Sequence, residues 1–118
     1  MCRHNEKQFQ FENFKRPFGG KLRSDNRWVK LAKQIPWQEI EATYSSSLSG
    51  SGKGSPVLSV RVAFGALIIK EKLGHSDEET VEQTGEKPYL QYFLGRKRYE
   101  DKAIFHPTMF VHFLEALS

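Results

Sequence analysis

The segment from Ser59 to Gly74 constrains this chain more than any other. Val60, Val62, Ala63, Phe64, Ala66, Leu67, Ile68 and Ile69 put apolar side chains on almost every side of a 3.6-residue period. A helix that is apolar all round has to lie inside its domain, so other elements must surround it. Both ends are marked: Ser59 is a strong N-cap residue, and Gly74 suits the left-handed position that closes a helix. Gly65 weakens a helix interior by ~1 kcal/mol relative to alanine, which points to a neighbouring element crossing closely there. After Gly74-His75, the run Ser76-Asp77-Glu78-Glu79 matches the S-x-x-E capping box, and a short helix is expected from Asp77 to about Thr84. Helix, tight glycine turn, helix is the outline of a helix-turn-helix pair.

The flanking segments are helical too. Ser24 is a capping residue, and Trp28, Leu31, Ala32 and Ile35 follow it as one stripe at i, i+3, i+4 and i+7. Pro36 ends that helix and opens the next, where Trp37, Ile40 and Tyr44 recur to about Ser46. Pro88 opens a helix carrying Leu90, Phe93 and Leu94, with Gly95 after its end, and Pro107 opens a last helix with Met109, Phe110, Phe113, Leu114 and Leu117. The expected architecture is all-α: about six short crossing helices over residues 24–118, with a flexible Ser/Gly loop at 45–55. Residues 1–23 carry Phe9, Phe11, Phe14 and Phe18 among Pro17, Gly19 and Gly20, and read as an extended aromatic and basic arm. The expected core is Trp28, Leu31, Ile35, Trp37, Phe64, Leu67, Ile68, Leu90 and Phe93.

A length of 118 residues is the size of one domain. The longest apolar run, Val62 to Ile69, falls far short of the ~20 residues that span a bilayer. No apolar leader follows Met1, and Cys2, the single cysteine, has no partner for an internal disulfide, so a cytoplasmic location is expected. His4, His75, His106 and His112 do not form a ligand set; His106 and His112 are too far out of phase to share a helix face. Gly52-Lys53 resembles the end of a phosphate-binding loop, but Gly54 stands where Ser or Thr is needed and Ser47 where the first glycine is needed. Hence no metal, cofactor, small-molecule substrate or catalytic residue is assigned.

Charge is concentrated at the front. Residues 1–38 hold nine Lys/Arg against three Asp/Glu, a net of +6, whereas the remainder holds nine against eleven, a net of −2. Lys21, Arg23, Arg27, Lys30 and Lys33 make a basic strip before and along the first helix, and Arg96, Lys97 and Arg98 make a second patch. The stripe at Trp28 and Leu31 must face the core, which turns Lys30 and Lys33 outward. Such a strip suits DNA phosphates, and equally a solvated face. The second helix of the helix-turn-helix pair carries Asp77, Glu78, Glu79 and Glu82, which phosphates repel. The basic strip, and not that helix, is therefore expected to meet DNA.

Three longer stretches fit a known pattern: FENF followed by PFGGKLRSDNRWVKLAKQIPWQEIE, then LSVRVAFGALIIKEKLGHSDEETVEQ, then PYLQYFLG with F-x-P-x-x-x-V-H-F near the end. On these the chain, from Phe9 to Ser118, resembles the N-terminal domain of bacterial insertion-sequence transposases of the DDE class, the InsH-like group. In that family the helical domain is taken to bind the element's terminal repeats. An RNase-H-like domain follows it and cuts and joins DNA with three carboxylates and divalent metal. The resemblance implies a DNA partner and transfers no catalytic residue. There are departures. His106 stands where the family has an acidic residue, Lys87 where it has Asn, Thr84-Gly85 where an apolar position is usual, and Leu114-Glu115-Ala116 where it has a basic cluster. With the stop at Ser118 they imply a truncated copy.

Three roles follow as expectations: a DNA-binding module, a protein-interaction or self-association module using the aromatic arm with Leu114 and Leu117, and an inert remnant of a decayed transposase.

Overall fold

The computed structural model describes residues 14–15, 20–49 and 59–117, with side chains left out at 45–49. Among the described residues there are six α-helices: α1 Arg27–Gln34, α2 Trp37–Ser49, α3 Val60–Leu73, α4 Asp77–Glu86, α5 Pro88–Phe93 and α6 Met109–Leu117. The architecture is all-α, as the periodicity predicts. None of these helices is long and apolar enough to cross a membrane.

α3 is the hub, packing against α2, α4 and α6, while α5 packs against α1 and α4. Its caps are those the sequence marks. Ser59 Oγ accepts from the Val62 amide at 3.1 Å, and Gly74 takes φ 69° while its N–H donates to the Lys70 carbonyl at 2.9 Å. Gly65 lies where α5 and its C-terminal residue press closest: a Cβ there would stand 3.0 Å from Leu94 Cδ2 and 3.6 Å from the Phe93 ring. Val60, Val62, Ala63, Ala66 and Ile69 are buried. Phe64, Leu67 and Ile68, expected in the core, are only partly buried and pack against it, as are Leu31 and Ile35. A domain of this size has too few helices to cover every side of one of them.

Phe93 is the centre of the core, fully buried and edge-on to both Trp28 (5.2 Å between centroids) and Trp37 (5.4 Å). Trp37 Nε1 donates to the Ala32 carbonyl at 2.9 Å, which fixes the α1–α2 corner at Pro36. On its outer side Trp37 carries the Arg61 guanidinium 4.5 Å above its ring. Arg61 in turn donates to the carbonyls of Phe93 (3.1 Å) and Tyr92 (3.3 Å) at the end of α5. Burial pulls the pKa of this guanidinium below the usual arginine range.

Three boundaries differ from expectation. α1 is capped by Asn26 and not by Ser24: Asn26 Oδ1 accepts from the amides of Trp28 (2.7 Å) and Val29 (3.4 Å), while Ser24 and Asp25 lie in a turn closed by Asn26 N donating to the Arg23 carbonyl. The expected loop at 45–55 starts too early, because residues 45–49 continue α2 as helix; residues 50–55 lie outside the described residues. α6 begins at Met109, after a turn at Pro107-Thr108 in which His106 Nδ1 lies 3.2 Å from the Thr108 amide. Of the arm, Phe14 is buried edge-on to Tyr92 at 5.9 Å, and Lys15 forms a parallel bridge with Arg98. Phe9, Phe11 and Phe18 lie outside the described residues.

Candidate nucleic-acid interface

α1 buries Trp28, Val29 and Ala32, which leaves Arg27, Lys30 and Lys33 exposed on its outer side. Arg27 holds its guanidinium 5.4 Å from the Trp28 ring centroid. Two hollows open on either side of this pair. One, of about 370 Å³, is lined by Arg27, Trp28, Lys30, Leu31, Gln34 and Lys72. Three cations from two helices meet there, and no carboxylate lines it. Lys72 comes from the last turn of α3 and is absent from the sequence-based strip, because its approach to α1 is purely tertiary.

The other hollow, of about 380 Å³ and mostly carbon-walled, is lined by Trp28, Leu73, Pro88, Tyr89 and Leu90 together with Asn26, Arg27 and Lys87. Tyr89 Oη accepts from the Arg23 amide at 2.9 Å, across a separation of 66 residues, and holds the start of α5 against the entry to α1.

The remaining members of the strip behave differently. Lys21 and Arg23 are exposed ahead of α1. The Arg23 side chain donates to Asp25 Oδ1 at 3.0 Å, and this bond holds the carboxyl below its ordinary value and the guanidinium above its own. That local pairing offsets the charge Arg23 brings. Lys33 is exposed on α1 and lines neither hollow.

In the second patch Lys97 and Arg98 are exposed, whereas Arg96 lies 3.4 Å from Glu100, which Lys102 also approaches at 3.7 Å. The backbone brings Lys15 to this loop: its N–H donates to the Lys97 carbonyl at 3.3 Å and its carbonyl accepts from Tyr99 at 2.7 Å.

α4, the second helix of the helix-turn-helix-like pair, buries Thr80, Thr84 and Gly85 and exposes Glu78, Glu82 and Glu86. Its outward face is acidic. Ser76 Oγ caps it by accepting from the Glu79 amide at 3.0 Å. Among the described residues no three His, Cys, Asp or Glu side chains come together in a way that could hold a metal ion.

A family model described as Transposase domain (DUF772) matches residues 16–116. A curated relative, the "Uncharacterized protein ORF8 in nfe locus" of Rhizobium meliloti, is 32% identical over 75 residues, which is 64% of this chain and 35% of that protein. The match thus covers about a third of the length of that relative. No solved structure matches.

Proposed function

The chain belongs to the transposase domain family DUF772, and we propose that it is a DNA-contacting module of a transposase, of the N-terminal, InsH-like DDE type, ancestrally directed at terminal repeats. The observation that carries this reading is the hollow where Arg27, Lys30 and Lys72 meet with no carboxylate among the lining residues. Lys21, Arg23 and Lys33 extend the positive surface along and ahead of α1, and Arg96, Lys97 and Arg98 with Lys15 form a second contact. The exposed acidic face of α4 argues against its entry into a major groove, although recognition helices of such pairs normally sit there.

Three phosphate contacts correspond to a salt slope of about −2.7, so affinity for duplex DNA falls about 40-fold between roughly 50 and 200 mM salt. Fluorescence anisotropy with a labelled duplex measures this. Lys30→Glu with Lys33→Glu abolishes most of the binding and flattens the slope. Glu78→Gln with Glu82→Gln leaves binding unchanged or tightens it. If the Gln pair weakens binding while the Glu pair leaves it intact, α4 is the reader and the strip is a solvated face.

A second reading rests on α6, where Val111 and Leu114 are 53% and 50% exposed. They suit self-association. Light scattering that gives a strict monomer at high protein concentration removes that reading.

A further inference from the structure

Phosphates alone need only cations, yet the hollow at the start of α5 is built mainly of carbon. Trp28, Pro88 and Tyr89 lie within a space of about 380 Å³ whose charged members are Arg27 and Lys87. That volume is in the range of small-ligand sites. Paired DNA has little to put there, because its base faces are covered by stacking. A nucleotide out of the stack offers both halves of the match, a flat π-face and a phosphate on either side of it. We infer that this hollow takes one unpaired nucleotide, its base against the carbon wall formed with Tyr89 and its flanking phosphates on Arg27 and Lys87. The inference rests on the reading of this region as a DNA interface and adds the form of DNA it prefers.

The site is preorganised. Tyr89 Oη is tied to the Arg23 amide, so the ring is held where it stands. Asn26 Oδ1, at the rim of the same hollow, is committed to capping α1 and fixes where that helix begins. Arg27 is shared with the cationic hollow, so a strand running from the duplex contact into this space meets continuous positive charge.

The test compares two DNAs with the full chain: a blunt duplex, and the same duplex with a three-nucleotide single-stranded end carrying 2-aminopurine. Anisotropy should show about tenfold tighter binding to the overhang, and 2-aminopurine emission should be quenched on stacking. Tyr89→Ala removes the preference and the quenching; Tyr89→Phe, which keeps the stacking ring and loses only its tie to the Arg23 amide, retains the quenching. Lys87→Glu, on an exposed side chain with no cap bond, removes the preference independently should Tyr89→Ala fail to fold. Equal affinity for both DNAs without quenching overturns the inference and leaves the duplex reading standing. Binding to neither DNA overturns both. Preference that survives both Tyr89→Ala and Lys87→Glu places the unpaired nucleotide elsewhere and overturns the assignment.

Discussion

Gln91 shows what a single side chain decides in this molecule. It is fully buried and leaves no group unmatched. Its Nε2 donates to the carbonyls of Thr84 (2.9 Å) and Glu100 (2.7 Å), and its Oε1 accepts from the Glu100 amide at 2.9 Å. One residue thereby sews α4, α5 and the loop after Gly95 together. Gln91→Leu keeps the volume but orphans these backbone groups, at about 1–3 kcal/mol for each one that stays buried. Urea unfolding should therefore show a loss of at least about 2 kcal/mol, and a variant as stable as the parent would refute the account. None of this was legible in the sequence, where a glutamine between Leu90 and Tyr92 reads as a surface residue. The large apolar anchors were legible: Trp28, Trp37, Leu90 and Phe93 are all buried as their spacing predicts. Val29, fully buried, was missed because it lies one step off the ideal stripe and is held by tertiary neighbours. Arg61 was missed for a different reason. Its value lies in carbonyls at the end of α5, more than 30 residues away, and no local pattern announces such a partner.

Helix ends divide the same way. Ser59, Gly74 and Ser76 act as the sequence suggests, Ser76 because the glutamate three residues on completes its capping-box pattern. At α1 three capping residues stand in a row, Ser24-Asp25-Asn26, and only the turn geometry selects Asn26. α2 runs through serines that read as loop, because α2 packs on both α3 and α6 and tertiary contact outweighs a weak propensity. α4 buries threonines where apolar residues are usual; Thr80 Oγ1 donates to the Ser76 carbonyl at 2.8 Å and Thr84 Oγ1 to the Val81 carbonyl at 3.1 Å, so neither hydroxyl is left unmatched. The crossing of α3 and α5 rests on the missing side chain at Gly65. Gly65→Val drives methyl groups into Leu94 and Phe93, which costs about 1–3 kcal/mol by overpacking. Thermal melts should order the variants as parent or Gly65→Ala above Gly65→Val, since alanine regains ~1 kcal/mol of helix propensity against a squeeze of a few tenths of an ångström. A valine variant that melts with the parent would show that the crossing is loose.

Across the molecule, opposite charges are held on different elements: cations around α1 and the end of α3, carboxylates along α4. The basic strip was legible as composition, but its convergence with Lys72 and Lys87 was not, because those lysines come from segments that meet α1 only after folding. Several carboxylates are already engaged, Asp25 by Arg23, Asp77 by Lys70, Glu79 by Gln83 and Glu100 by Arg96 and Lys102. Metal-assisted strand cleavage needs carboxylates gathered around the ions, so this chain with terminal-repeat DNA and magnesium or manganese should give no nicked product on a sequencing gel. Nicking that disappears with Asp77→Asn would overturn that expectation. The bridge between Lys15 and Arg98 bears on how the protein comes into being. A ribosome releases Phe14 and Lys15 early, yet Tyr92 and the Lys97–Tyr99 backbone that hold them are made only after α1 to α5. α1 itself waits for α5, its packing partner. The nascent chain therefore carries Phe14 without its partner ring and α1 with an open face until the segment through Tyr99 has been made, so these contacts close only after five helices have emerged.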